Sequence, residues 1–257
     1  MSKVFITGSA DGLGLAAARL LIQDGHQVVG HARNARRAAE LRKALPALQD
    51  VVIGDLSDRR QTVSVAEQVN ALGRFNAVIH NAGIGYREPR RIATADGHAH
   101  LLAINVLAPY LLTALVERPD RLVYLSSGMQ RGGTASVADL DWRDRRWNGA
   151  QAYSDSKLFD TVLAFAVARK WPEVLSNSVE PGWVPTKMGG PGAPDDLSQA
   201  HLTQVWLAVG EDPGALVSGA HFYHKRPREV QPDARSKGFQ DDLMEALAAL
   251  TGIVLPD

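Results

Sequence analysis

Short runs rich in β-branched residues alternate along the chain with longer stretches whose apolar residues recur at helical spacing. This is the pattern of a parallel sheet covered by helices on both faces. Lys3-Val4-Phe5-Ile6 predicts a first strand, after which Leu13, Ala16, Ala17, Leu20 and Leu21 share one helical stripe that closes near Gly25. Gln27 to Ala32 predicts a second strand, the Arg- and Ala-rich stretch up to Pro46 a solvated helix, and Val51-Val52-Ile53 a third strand. Ser57-Asp58 is placed to cap a helix running to about Leu72. Ala77-Val78-Ile79 predicts a fourth strand ending in His80-Asn81-Ala82-Gly83, and an apolar helix follows over 98–117. Leu122-Val123-Tyr124-Leu125 predicts strand five, which runs into Ser126-Ser127-Gly128. Met129 to Ala150 is polar, rich in Arg and Gly and without sustained period, so it reads as a loop with short helical pieces. The remainder predicts a helix over Ala152 to Lys170, a strand over Leu175 to Val179 and an irregular Pro/Gly-rich excursion from Pro181 to Pro194. A helix near 195–209, a strand near 218–223 and an Ala/Leu helix near 238–250 complete the count. No repeat or linker-like shift divides the chain, so one α/β domain over residues 1–257 is expected, a doubly wound parallel sheet of about seven strands.

Composition narrows the chemistry. The 257 residues are 45% hydrophobic and 22% charged, ordinary globular values. With 28 Lys+Arg against 28 Asp+Glu, no net field favours nucleic acid or an anionic membrane surface. The absence of Cys excludes disulfides, thiolate metal sites and thiol nucleophiles. The apolar stretch Leu101 to Val116 is broken by Asn105 and Pro109 and is too short for a membrane span. No signal-like segment precedes Thr7, so a cytoplasmic protein is expected. His201, His221 and His224 are too dispersed for a metal site, so no metal is expected.

Two motifs carry chemistry. Thr7-Gly8-Ser9-Ala10-Asp11-Gly12-Leu13-Gly14 sets glycines between a strand and a helix, where backbone amides and the positive helix end can meet a pyrophosphate. Tyr153-Ser154-Asp155-Ser156-Lys157 puts a phenol and an ammonium four residues apart on one helix face. A nearby cation lowers a phenol's pKa from about 10, and a phenol tuned in this way serves as a general acid or base.

The glycine turn, the Asn-Ala-Gly strand end, the Ser-Ser strand end and the Tyr/Lys helix stand in one order, and together they resemble the short-chain dehydrogenase/reductase family. The resemblance covers the chain from Val4 to about Phe222. It implies a Rossmann-type fold, with Gly8, Gly12 and Gly14 forming the pyrophosphate turn together with Thr7, Ser9, Asp11 and Leu13. It further implies that Asp55, followed by Leu56, contacts adenine, and that Asn81, with Ala82 and Gly83, braces the sheet beside the cofactor. By the same resemblance Asn105 positions a proton-relay water and Ser127 bonds the substrate oxygen. Tyr153 would exchange the proton, while Lys157 would hold the nicotinamide ribose and lower the Tyr pKa. Pro181 and Gly182, with Val184 and Thr186, match the element that contacts the nicotinamide amide. Local readings stay open beside these: Asp55 could simply cap a turn, Asn81 and Asn105 could satisfy buried backbone groups, and Ser126 rivals Ser127.

An acid at the end of strand two would bond the ribose 2′-hydroxyl and repel a 2′-phosphate. Gly30-His31-Ala32-Arg33-Asn34 contains none, and Arg33 can fork onto a phosphate, so NADP(H) is expected over NAD(H), with Asp11 arguing partly the other way. The 26 positions from Ser127 to Tyr153 exceed the usual family spacing. That insertion (128–150), with Asp139-Leu140-Asp141-Trp142, Gly219-Ala220-His221-Phe222-Tyr223 and Leu250-Thr251-Gly252, looks like the retinol dehydrogenase-like and protochlorophyllide reductase-like branch, without the N-terminal anchor many of its members carry. The branch implies bulky, apolar carbonyl or alcohol substrates. Trp142, Trp147, Trp183 and Met188 could line their pocket or simply pack, and 183–200 reads as a substrate lid. The resemblance also implies a homodimer or homotetramer pairing helices 98–117 and 152–170, whose apolar faces could equally be internal core. The expected activity is hydride transfer between NADP(H) and a carbonyl or alcohol; the alternative is a catalytically silent NADP(H)-binding sensor or interaction protein.

Overall fold

The computed structural model describes residues 1–257. Seven strands run parallel and an eighth turns back, in the order β3-β2-β1-β4-β5-β6-β7-β8. The strands are β1 (Lys3–Ile6), β2 (Gln27–Ala32), β3 (Asp50–Ile53), β4 (Ala77–His80), β5 (Arg121–Leu125), β6 (Leu175–Val179), β7 (His221–Tyr223) and β8 (Arg226–Pro227). Val4, Phe5, Ile6, Val28 and Val29 are wholly buried, as strands covered on both faces must be. The chain leaves β1 toward β2 on one side and later returns to place β4 on the other. This reversal opens a crevice at the carboxyl ends of β1 and β4, the place where open α/β sheets take their ligands.

One face of the sheet packs on α1 (Gly12–Gln23), α2 (Ala35–Ala44) and α7 (Leu202–Val209), around Ile6, Leu21 and Leu41. The other carries α3 (Arg59–Ala71), α5 (Ala108–Leu115), α6 (Gly149–Lys170) and α8 (Lys237–Thr251), around Phe5, Val106, Phe159 and Leu247. Asn34, Asp58, Asn148 and Ser236 cap α2, α3, α6 and α8 with their side chains, each accepting a backbone N–H in the first turn.

Four details depart from the sequence expectation. The helix expected over 98–117 is a short α4 (His100–Leu102), a π turn over Ala103–Leu107 and then α5, because Asn105 is drawn onto the Ile84 backbone. The helix expected from 195 starts at Leu202, since Asp196 ties Ser198 into a turn. The strand near 218–223 begins only at His221, after Gly219 takes φ +71°. β8, an unforeseen two-residue strand, follows a tight turn in which His224 and Lys225 both have positive φ.

The expected pairing of helices 98–117 and 152–170 between subunits meets a physical obstacle, because their apolar faces are internal. Residues Ala152 to Val167 of α6 are buried without interruption, and Phe159 packs at a tilt against Phe239 of α8, 6.4 Å between ring centroids. The tail beyond α8 finishes the cover: Tyr110 Oη donates to the Ile253 carbonyl at 2.7 Å, and Trp171 Nε1 to the Pro256 carbonyl at 2.8 Å.

Candidate active site

The crevice floor begins with the glycine turn. Gly8 and Gly12 have φ of +64° and +54°, in the left-handed region. A Cβ on Gly14 would lie 2.5 Å from both the Gly8 carbonyl and Asn81 Nδ2, so only glycine lets α1 approach this closely. A Cβ on Gly12 would meet nothing within 4 Å. Asp11 occupies the N-cap position of α1 yet makes no capping bond, so the first amides of α1 face that open space unsatisfied by any side chain. An open cradle of backbone donors at a positive helix end fits the pyrophosphate of a dinucleotide.

Other members of the turn hold it in shape. Thr7 Oγ1 accepts from the Asn81 and Ala82 amides, both at 2.9 Å, and Asn81 Nδ2 donates to the Thr7 and Gly8 carbonyls. The Asn81 amide oxygen has no partner although buried. The hydroxyl of Ser9 accepts from the His31 amide at 2.8 Å, so it is turned to β2 and away from the crevice. Leu56 and Val184 are buried, and the Leu56 side chain belongs to the core. Asp55 does cap a turn, accepting from the Ser57 amide and hydroxyl at 2.9 and 2.7 Å, while staying half-buried at the end of β3.

His31 escaped the sequence reading as a site element. Its Nδ1 accepts from the Gly8 amide at 3.0 Å and its Nε2 lies 2.8 Å from the Gly54 carbonyl, so one neutral tautomer ties the glycine turn to the end of β3. Burial lowers its pKa and keeps it neutral. The only signal in sequence was a histidine where an acid would mark NAD.

Arg33 is exposed at the end of β2. Arg37, one turn into α2, was not foreseen: it donates to Asp11 Oδ2 at 2.7 Å and to the Ala10 carbonyl at 3.2 Å. Lys187 reaches the same Asp11 oxygen from the other side at 2.8 Å. Burial works to raise the Asp11 pKa, but Lys187 and Arg37 outweigh it and lower it. The acid that argued against a 2′-phosphate is thus neutralised twice.

The chemical end lies under α6. Tyr153 is 6% exposed and Lys157 4%, and Lys157 Nζ sits 5.8 Å from the centre of the Tyr153 ring. Asn105 Nδ2 donates to Ser156 Oγ at 3.0 Å and to the Ile84 carbonyl, and Asn105 Oδ1 accepts from the Ile84 amide. Asn105 therefore does satisfy buried backbone, and it does so beside the lysine. A Cβ on Gly83 would fall 3.4 Å from Asn105 Oδ1 and 3.6 Å from Lys157 Nζ, so the cleft narrows to backbone width there. Geometry separates the two serines. Ser126 is buried and bonded into α6, donating to the Lys157 carbonyl at 2.7 Å and accepting from Thr161 at 2.9 Å. Ser127 is half-buried, and its Oγ meets only the Met129 amide, at 3.2 Å.

Above these groups the segment from Pro181 to Pro194 folds over the cleft. Gly182 takes φ +89°, and Thr186 Oγ1 accepts from the Gly189 amide at 3.2 Å. Met188 Sδ lies 3.8 Å from Tyr153 Oη. Tyr86 meets the Tyr153 ring edge-on at 5.7 Å. Trp183 is 56% exposed at the mouth. Trp142 and Trp147 of the 128–150 insertion meet edge-on at 5.5 Å, with Arg145 3.6 Å over Trp142, and pack in one apolar cluster with Tyr153, Tyr86 and Met188. The insertion is pinned by Asp141, which accepts from the Ala99 amide at 2.6 Å and pairs with Arg91 and Arg143. His80 is buried against Tyr124, ring centres 4.7 Å apart, in a packing role.

Comparison with known proteins places this geometry. Residues 2–196 match the family model described as short chain dehydrogenase. An uncharacterized oxidoreductase of Emericella nidulans is 40% identical over all of this chain and 99% of its own, and a short-chain dehydrogenase of Penicillium rubens is 37% identical over the whole of both. Mouse retinol dehydrogenase 14 is 27% identical over 98% of this chain and 86% of its own. Among solved structures, an uncharacterized protein from Mycobacterium paratuberculosis superposes with a TM-score of 0.86 at 24% identity, covering 100% of this chain and 96% of the other. A blue fluorescent protein from a metagenomic library, solved with NADPH, gives 0.68 at 24% identity over 86% and 95%.

Proposed function

The chain belongs to the short-chain dehydrogenase family of oxidoreductases, and from that premise we propose that it moves hydride between NADP(H) and the carbonyl or alcohol carbon of a bulky, apolar substrate. One observation carries the reading: a buried phenol and a buried ammonium share a helix face where the sheet's carboxyl edge opens. A sensor without catalysis has no use for that pair, and nothing favours it.

A bound nicotinamide would supply or accept the hydride. The glycine turn and the first amides of α1 would hold its pyrophosphate, Asp55 and Leu56 its adenine, and Lys157 its ribose. Asn81, Gly83, Pro181, Gly182, Val184 and Thr186 would line the nicotinamide end. Ser127 would donate a hydrogen bond to the substrate oxygen and Tyr153 would deliver its Oη proton there in reduction, the Lys157 charge stabilising the phenolate left behind. Asn105 would keep the path for that proton's return in shape. Preference for NADP(H) is supported by the exposed Arg33 at the end of β2, by the pairing of Asp11 with Arg37 and Lys187, and by NADPH in the structurally similar blue fluorescent protein.

The apolar substrate class is supported by Tyr86, Met188 and Trp183 around the phenol, and by likeness to retinol dehydrogenases. Segment 183–200 would act as the lid, since Met188 must leave Tyr153 before a substrate oxygen can arrive. A homodimer or homotetramer would have to use faces other than those that α8 covers. No helix is long and apolar enough to cross a membrane. The test is a panel of aromatic, steroid and retinoid-like carbonyls followed by NADPH absorbance. Turnover of bulky apolar members, with small polar ones left untouched, is expected. NADPH binding with no carbonyl reduced would contradict the reading.

A further inference from the structure

Tyr153, Lys157 and Asp160 stand at positions i, i+4 and i+7 of α6, which sets phenol, ammonium and carboxylate in a row on one stripe. Asp160 is 2% exposed. Lys157 Nζ donates to Asp160 Oδ2 at 2.7 Å and to the Leu125 carbonyl at 2.7 Å. Two of the three ammonium protons are therefore committed to the protein, and Gly83 and Asn105 border the side left for the third.

A buried ion pair is weak evidence for a stabilising device, because a pair of apolar side chains would fill the space as well. This pair adjoins the reacting phenol. We propose that Asp160 is a positioning residue for the proton transfer: its carboxylate fixes the Lys157 ammonium and offsets part of its charge, limiting how far that cation favours phenolate at Tyr153. The inference rests on the reading of Tyr153 as the proton donor. When Tyr153 gives its Oη proton to the substrate oxygen, the O–H bond breaks and the negative charge stays on Oη. An uncompensated lysine would hold that charge tightly and slow reprotonation, whereas a lysine already facing a carboxylate holds it less.

Other groups leave this balance to the pair. From β5, Tyr124 faces Asp160, and burial, with the Asp160 charge adding, raises its pKa and keeps it protonated. From β4, His80 stacks on Tyr124 and is kept neutral by burial. From the π turn, Asn105 is uncharged. Burial works to lower the Lys157 pKa, but the Asp160 and Tyr153 charges outweigh it and raise it; burial raises that of Asp160. The Lys157 shift keeps the lysine charged at neutral pH, while burial of Asp160 works against its carboxylate and the lysine charge holds it ionised.

The test is Asp160→Asn, which retains an oxygen for Nζ and removes the charge. Tyr153 ionisation is read as the near-ultraviolet tyrosinate difference between each protein and its Tyr153→Phe counterpart, beside the pH profile of kcat on a carbonyl from the panel. Asp160→Asn is expected to move both to lower pH by about one unit, a tenfold change in phenolate fraction at fixed pH, while Asp160→Glu stays near the parent. An unmoved titration in folded Asp160→Asn overturns the proposal. So does loss of the fold in every neutral replacement, Asn, Ser and Ala alike, since that assigns the carboxylate to stability. If the titration moves while no carbonyl is reduced, the functional reading fails and takes the role in proton transfer with it, leaving only an electrostatic coupling of Asp160 to Tyr153; if carbonyls are reduced and the titration is unmoved, this inference alone fails.

Discussion

At the end of β5 two adjacent serines look alike in sequence, and the difference between them is where their hydroxyls find partners. Ser126 is absorbed by α6, which leaves Ser127 with its hydroxyl on the open side. Arg33 poses the opposite problem: it was legible as a cation at the end of β2, but the two cations that pair with Asp11, Arg37 and Lys187, come from segments that sequence spacing does not bring to the glycine turn. A guanidinium bonded to a phosphate contributes about 1.5–3 kcal/mol, so Arg33→Ala should weaken NADPH binding about tenfold or more and leave NADH nearly unchanged. Isothermal titration with both cofactors measures this, and equal losses would remove Arg33 as the discriminator.

Most elements were legible because their signals are local. β2 and β6 match their expected ranges, and Asp58 caps α3 as its position before the helix suggests. What was missed depends on distant partners. The π turn needs the Ile84 backbone, His31 needs Gly8 and Gly54, and the closure of α6 needs α8, nearly eighty positions further on. Segment 183–200 reads as a lid in the sequence, but the contacts that hold it were not legible there. Lys187 and Met188 are neighbours, yet one reaches the glycine turn and the other the Tyr153 phenol, so a single hinge motion would open both ends of the cleft. The Lys187–Asp11 contact is largely solvated and is worth at most about 1 kcal/mol. Lys187→Ala should therefore leave the melting temperature unchanged and speed NADPH release a few-fold in stopped-flow fluorescence, an effect that added salt reproduces in the parent protein. A release rate insensitive to both would show that the contact does not hold the lid.

For the whole molecule, buried imidazoles set the response to acid between about pH 7 and 5. His31 and His80 both have pKa values lowered by burial, His80 to about 3. The unfolded chain then binds protons that the folded chain refuses, so their contribution is complete above about pH 6.5 and is lost as pH falls below it, by up to about 1.4 kcal/mol per unit for each. Asp160, with its raised pKa, acts in the opposite sense, but as one group against two. The melting temperature should fall steadily from pH 7 to 5, and His80→Leu should flatten the slope; a curve rising toward acid would contradict the assignment. The central claim is that the Tyr153 phenol, beside Lys157 in the cofactor cleft, is the proton donor for carbonyl reduction. Measuring kcat and NADPH affinity together in Tyr153→Phe tests it most directly. The account predicts a loss of about a thousandfold in kcat with NADPH affinity within a few-fold of the parent, whereas turnover surviving without the hydroxyl would contradict it.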